Sequence, residues 1–439
     1  MSTLLRICLL ALFLSCFRLA AGQEAWVVLE GRVTCGGRAV PYATLQLKGT
    51  SVGVACNDDG EYRLKVPVGH EADTVVVRSV GYRQVKRSVA DLIEKGDIRL
   101  AEQSVQLREV HVKSYRTAQH LLNAAVEHID SNYCQRQAWS TFFYRDWRAV
   151  DGELYLFDEA VMSVRRAGYG RYAGKLAYAF AADRREMASN YKTVLKHRLV
   201  VHDRALLEAK VSDPNGVVER LQYADNEEFY DPVAAPQASF ALARGMIKLH
   251  KFEPIQEYND DGVAYYLLRS VGPCRLAKAR MHYEYRIRKD DLAIVSISAV
   301  QDSINMLSDN EVWMDVAFDR MAVAADSSVW HYDVRGGRYT LTHYYTGSTV
   351  SLGFGDAWHM NVRQRWQHSV DWTLTDYYTE DPRLTGDTIY VRQQTLAEAF
   401  GASDYDGDYW GRYNSVPVDM LPLCMLREKL MKIKNKTKL

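Results

Sequence analysis

The sequence predicts a mostly β protein: a small N-terminal sandwich, a linker helix, then a large antiparallel sheet. Three observations predict it. Apolar and polar residues alternate in short runs along most of the chain, the period-two pattern of strands with one dry face. Clusters such as Gly36-Gly37, Asn57-Asp58-Asp59-Gly60, Asp151-Gly152 and Gly336-Gly337 punctuate those runs where hairpins turn. One stretch, Ala118 to Ile129, breaks the alternation with helical spacing. The 28 Tyr and 9 Trp suit such sheets, whose large rings pack across strands.

Residues 1–22 hold Arg6, a mainly apolar run from Ile7 to Phe17, and a small-residue exit, Ala20-Ala21-Gly22. This reads as a cleaved secretory signal, too short for a committed membrane span. Lipid attachment at Cys16 is the alternative: Ser15 suits it, whereas Phe13, Leu14 and Arg18 argue against it. No later stretch offers the roughly 18 uninterrupted apolar residues of a spanning helix. An exported chain with no transmembrane helix after cleavage is expected. The 55 basic residues balance the 55 acidic ones, which argues against a nucleic-acid partner.

Strand and turn signals then follow in a set order. Val27 to Val33 meets the Gly36-Gly37 turn, and Pro41 introduces Ala43 to Lys48. Asn57 to Gly60 tolerate positive φ and break the chain before Tyr62 to Val66. Val75 to Val77, Gly81-Tyr82, Ile98 to Leu100 and Val105 to Val112 complete the series. From Gly31 to Val112 this order resembles the carboxypeptidase-regulatory-like domain. That domain is a non-catalytic, transthyretin-type β-sandwich found at the front of envelope proteins and TonB-dependent receptors of Gram-negative bacteria. The resemblance implies a protein of the periplasm or outer membrane. It also implies that Cys35 and Cys56 lie near one another, which favours a disulfide between them. Two reduced packing residues are the other reading. Of seven cysteines, Cys8 and Cys16 fall in the leader, so five remain and at least one thiol is free. None forms a Cys-x-x-Cys pair, so neither a redox motif nor a zinc site is indicated.

In Ala118 to Ile129, Leu121, Leu122, Ala125 and Ile129 share one helical face, as in a buried linker helix. Beyond Trp139, Thr141 to Trp147 and Glu153 to Val164 flank the Asp151-Gly152 turn. Met281 to Arg288 places Met281, Tyr283, Tyr285 and Ile287 on one face, and Leu292 to Val300 returns in step after Lys289-Asp290-Asp291. Runs at 312–318, 330–334, 339–345, 349–354 and 360–378 continue the pattern, while 203–261 is less regular. The elements FYRDW, ELYLFDEAVMSV, YEYRIRKDDLAIVSISA and DYDGDYWGRYN are similar to those of secreted proteins named only for their carboxypeptidase-regulatory-like front domain. The similarity implies a large curved antiparallel sheet or open half-barrel, and no activity. Gln106 to Val112 resembles the segment before the plug of a TonB-dependent receptor, but Arg108 departs from the acidic residue usual there. A plug and a barrel of about 22 strands would need more chain than remains. A barrel of about 8 to 14 strands fits the length, yet Arg165-Arg166, Arg184-Arg185-Glu186 and 286–291 crowd charge beside strands where a lipid-facing band should be apolar.

Motifs for chemistry are weak throughout. His250-Lys251-Phe252-Glu253 spells a His-x-x-Glu zinc pair, but His-Glu-x-x-His is missing and 12 His make one chance match unremarkable. No Gly-x-Ser-x-Gly elbow, phosphate loop or dinucleotide fingerprint occurs. Asn57 to Gly60 and Asp404 to Asp408 resemble calcium loops in spacing, yet turn chemistry explains both. Asp158 and Glu159, adjacent on a strand, point to opposite faces and cannot flank one substrate bond. Tyr405, Tyr409, Trp410 and Tyr413 are candidates for a ligand platform or for covering an open sheet end. Residues 427–439 are basic, with Leu426, Leu430 and Ile433 at helical spacing, and read as a solvated tail.

The expected organisation is a signal at 1–22, a sandwich at 23–113, a linker helix at 114–135, an antiparallel β domain at 136–415 and a basic tail at 416–439. The expected role is non-catalytic docking, binding or scaffolding at the envelope, without catalytic, metal or cofactor residues. The partner would be an envelope protein such as a TonB-dependent transporter, or a glycan or lipid ligand. A lipid or lipoprotein carrier, a small outer-membrane barrel and, last, a hydrolase are the alternatives. The carrier requires an apolar groove, and the hydrolase a place where titratable groups converge.

Overall fold

The computed structural model describes residues 26–101, 108–109, 115–169, 192–202, 231–271, 281–301, 304–305, 320–354, 362–383, 387–389, 409–410, 413–415, 417 and 422–429, apart from positions 49, 51, 58, 80, 81, 167 and 261. The signal expected at 1–22, Cys16, Cys274, Tyr405 and the 404–408 loop lie outside the described residues. Two compact units form. The first holds the described residues of 26–79, 84–101 and 409–417, and the second holds the rest.

The first unit is a two-sheet sandwich. One sheet joins β1 (Trp26–Cys35), β2 (Arg38–Ala39), β5 (Glu61–Pro67) and β8 (Ile98–Arg99). The other joins β3 (Thr44–Leu47), β4 (Gly53–Ala55), β6 (Thr74–Arg78) and β7 (Val85–Ser88). A one-and-a-half-turn helix, α1 (Val89–Glu94), starts at Ser88, whose hydroxyl accepts from the Asp91 amide. Alternation turns Leu29, Val33, Leu45, Leu47, Tyr62, Leu64, Val66, Val75 and Val77 inward, and all are buried. The Asn57 side chain accepts from the Glu61 amide at 2.8 Å and thereby closes the turn before β5. β1 passes so near the chain at Gly96 that a Cβ there would stand 1.8 Å from the Glu30 carbonyl oxygen, so only glycine fits.

Two expectations fail here. Cys35, at the end of β1, and Cys56, after β4, are buried free thiols, not a disulfide. Burial pushes the Cys56 thiol pKa well up, consistent with an inert packing residue. The strand expected at Val105 to Val112 departs as well where it is described: β9 (Arg108–Glu109) pairs in the second unit's sheet, described next.

That sheet comprises β9 to β22, with β10 (Ala138–Val150), β11 (Glu153–Arg166), β12 (Lys192–His202), β13 (Lys251–Phe252), β14 (Gln256–Asp260), β15 (Val263–Val271), β16 (Met281–Arg288), β17 (Ile294–Gln301), β18 (Ile304–Asn305), β19 (Arg320–Arg335), β20 (Arg338–Phe354), β21 (Val362–Tyr378) and β22 (Asp387–Ile389). Its order is β22-β12-β11-β10-β21-β20-β19-β17-β16-β15-β14-β9, antiparallel and open at both ends among the described residues, not a closed barrel. The expected turns do the folding. Asp151 and Gly152 take φ of 50° and 77°, and Gly336 and Gly337 take 58° and 79°, the double positive φ that matches the strands' right-handed twist.

One face of this sheet, called face A, is a packed core. Phe142, Tyr144, Met162, Tyr283, Tyr285, Ile297, Trp330 and Trp372 fill it. Helix α2 (Ala118–Glu127) lays Leu121, Leu122 and Ala125 against them, and α3 (Ile129–Asn132) adds Ile129. Each such leucine contributes about 1.5–3 kcal/mol by leaving water. The predicted helix is thus buried, as part of the second unit's core. A turn-rich stretch from Asp231, including α4 (Arg244–Ile247), is stapled to the sheet by Asp231, which accepts from Arg166, from the Tyr332 hydroxyl at 2.8 Å and from the Val233 amide at 3.0 Å. The C-terminal region is not simply a solvated tail: residues 422–429 form a helix, α5, whose Met425 and Leu426 pack on Trp147, Ala149, Leu154 and Phe157 of the opposite face, face B.

Candidate functional site

The most unusual side chains in the second unit are charges inside the β10–β11 hairpin. Strand positions this apolar should bury no charge without partners. Here a β-bulge decides the partners. Val150 pairs Glu153 and Ala149 pairs Leu154, but Arg148 then pairs Leu156, leaving Tyr155 as an extra residue. The slip places Asp146 opposite Asp158 and Arg145 opposite Glu159. Without it Asp146 would face Phe157 and Arg145 would face Asp158, because one residue of slip exchanges the faces.

On face B, Arg145 donates from Nε and Nη2 to Glu159 Oε1 at 2.9 and 2.6 Å, between the rings of Phe143 and Phe157. Farther along that face His343 Nε2 lies 3.1 Å from Asp371 Oδ2, and Thr373 donates to Asp371 Oδ1 at 2.9 Å. The His331 ring stacks on His343, and its pKa is pushed down to about 3, by burial first and then by that neighbour.

Face A holds the candidate site. Arg148 donates from Nη2 to Asp146 Oδ2 at 2.6 Å and from Nε to both oxygens, and the Tyr144 hydroxyl donates to Oδ2 at 3.3 Å. His197, from β12, brings Nε2 to 3.6 Å from Asp158 Oδ2. His368, from β21, brings Nε2 to 3.7 Å from Asp146 Oδ1. Asp146 and Asp158 are each 1% exposed. Asp158 Oδ1 has no hydrogen-bond partner among the described residues. Its pKa is pushed up to about 6, by burial first and also by Asp146, against the opposing pull of His197 and Arg148. Burial pushes the His368 pKa down to about 4, with the Asp146 charge opposing. Two carboxylates and one guanidinium leave one negative charge in excess, which protonation of Asp158, whose pKa is raised, relieves. The cluster can therefore bind and release a proton between β10, β11, β12 and β21. Among the described residues no three His, Cys, Asp or Glu side chains converge in a way that would hold a metal ion.

The sequence-derived candidates go elsewhere. Asp158 and Glu159 do split between faces, Asp158 toward His197 and Glu159 toward Arg145. His250 is buried, with its ring edge-on to Tyr283 at 4.9 Å, while Glu253 takes a backbone bond to Arg269, so the His-x-x-Glu pair builds no site. Tyr409, Trp410 and Tyr413 pack on one another in the first unit; Trp410 is 4% exposed, and the Trp410 and Tyr413 carbonyls accept from the Lys65 ammonium of β5. The face-A cluster escaped sequence reading, although a charge in the middle of each arm of the hairpin was its visible trace.

Residues 29–112 match the family model of the CarboxypepD_reg-like domain. No match was found among curated proteins. Two solved structures show distant similarity. One is a DUF1329 family protein from Desulfovibrio piger, at 11% identity and a TM-score of 0.23, covering 61% of this chain and 94% of its own. The other is a putative membrane-associated protein of unknown function from Bacteroides fragilis, at 9% identity and a TM-score of 0.14, covering 81% of this chain and 100% of its own. Those TM-scores are too low to carry fold or function across. The family match and the two-sheet sandwich agree: the front of this chain is similar to the CarboxypepD_reg-like domain.

Proposed function

We propose that this is an exported, non-catalytic protein of the cell envelope, in which the front sandwich docks to an envelope partner and the second unit is a scaffold. The observation that carries this reading is the CarboxypepD_reg-like domain at residues 29–112, together with the secretory signal expected at 1–22. An envelope protein such as a TonB-dependent transporter is the proposed partner. The carrier alternative is disfavoured on face A, which is filled by its own aromatic side chains and α2, and on the part of face B lined by Arg145, Glu159, His343 and Asp371. One observation favours a second reading: Asp146, Asp158, His197 and His368 converge as the titratable groups of a hydrolase would. The depth of the two carboxylates weighs against it and for a structural proton site. Fractionation of cells producing the full chain tests the primary reading. Recovery in the periplasmic or outer-membrane fraction supports it, and recovery in the cytoplasm overturns it.

A further inference from the structure

In the first unit β5 pairs only with β1, so among the described strands it is a sheet edge. Antiparallel strands turn the backbone groups of alternate residues outward. At Lys65 those groups are engaged: its N–H donates to the Asn414 side-chain oxygen at 2.6 Å, and the Asn414 amide donates to the Lys65 carbonyl at 3.1 Å. One side chain thus reproduces the two hydrogen bonds that a residue of a neighbouring strand would make. Lys65, 5% exposed, donates from its ammonium to the carbonyls of Trp410 at 3.1 Å and Tyr413 at 2.5 Å. Toward the end of β5, Pro67 has no N–H to offer a ladder, so Arg63 and Lys65 are the outward residues able to receive a strand. The segment that makes these contacts lies about 350 residues away along the chain, with Asn414 at a separation of 349. Exposed strand edges recruit other strands, and folded proteins cover them.

We propose that Trp410, Tyr413 and Asn414 are a built-in occupant of the β5 edge. We further propose that this edge is where the front domain receives an extended, acidic segment of its partner by strand addition. The partner's backbone would replace the Asn414 amide at Lys65. Its carboxylate would sit where the Trp410 and Tyr413 carbonyls now receive the ammonium, gaining a charge-assisted bond. This deepens the docking reading and rests on it.

The test uses the full chain with Asn414→Ala, amide hydrogen exchange, and as probes two synthetic peptides: residues 409–417 as they stand, and the same peptide with Asp in place of Asn414. In the variant, exchange at Lys65 is expected to quicken about tenfold, the loss of one hydrogen bond. Leu64, whose amide faces β1, should stay protected and report an intact sandwich. Either peptide should then restore protection at Lys65, the Asp peptide at the lower concentration. Unchanged exchange at Lys65, or quickened exchange that neither peptide reverses, overturns the proposal. Quickening at Leu64 as well would show the segment to be a structural staple of the domain, and overturns it too. These outcomes concern the edge alone; cell location, the test of the docking reading, is measured separately.

Discussion

Replacing Asp158 by Asn should make the protein more stable at neutral pH than at acid pH relative to the wild type. The Asp158 carboxyl has its pKa raised from 3.8 to about 6, with burial as the leading cause. A raised folded-state pKa gives stability that is whole below the unfolded value and lost as pH rises through the folded one. A shift of roughly two units corresponds to about 3 kcal/mol once Asp158 is ionised in both states. Asn cannot ionise and does not bear this cost. The stability gap, variant minus wild type, should therefore widen by about 2 kcal/mol between pH 4 and pH 8. His368 acts in the opposite direction: its pKa is depressed to about 4, so the stability it supports is lost as pH falls from its ordinary value near 6.5 through 4. It is present in both proteins and cancels in the gap. Urea unfolding followed by tryptophan fluorescence at pH 4, 6 and 8 measures it. A gap that stays constant, or narrows with rising pH, would refute the argument that the fold holds this carboxylate against its charge.

Other perturbations probe the same framework. Arg145→Met removes the guanidinium that donates twice to buried Glu159 and should cost about 3–5 kcal/mol, whereas the double variant Arg145→Met/Glu159→Met should recover most of that in the same unfolding assay. Deleting Tyr155 removes the bulge but keeps Asp146 opposite Asp158, because Leu156 then follows Leu154 directly; the loss of the buried Tyr155 ring from its contact with Val150, Leu156 and Trp366 should lower the melting temperature of the second unit while the first unit's transition stays in place. Gly96→Ala drives a methyl into the Glu30 carbonyl and should cost the first unit about 3 kcal/mol, the upper end for overpacking, read by its unfolding midpoint. Cys35 and Cys56 should both take up a thiol reagent after denaturation without reductant, by intact mass; no uptake at either would restore the disulfide.

The features readable from sequence were those set by neighbours along the chain. Asp151-Gly152 and Gly336-Gly337 carry their turn chemistry in two residues. The hairpin of Tyr283 and Tyr285 against Ile297 and Ala299 follows from alternation alone, and so does the apolar face of α2. What was not readable depends on register or on distant contacts. The bulge at Tyr155 has no local signature, yet it decides that Asp146 meets Asp158 and that Arg145 meets Glu159. Asn414 reaches Lys65, and Asp231 reaches Arg166 and Tyr332, across chain separations that no local pattern encodes. Proximity of Cys35 and Cys56 was inherited from a related fold, and residues that are close in a family need not be bonded in one member.

Docking through the front domain is the central claim, and crosslinking in intact cells tests it most directly. A photoreactive residue placed at Arg63, on β5, is compared with one at the exposed Arg365 of the second unit. The expected result is a discrete adduct to an envelope protein from the Arg63 position and none of that size from Arg365. The same adduct from both positions, or an adduct from Arg365 alone, would contradict the claim.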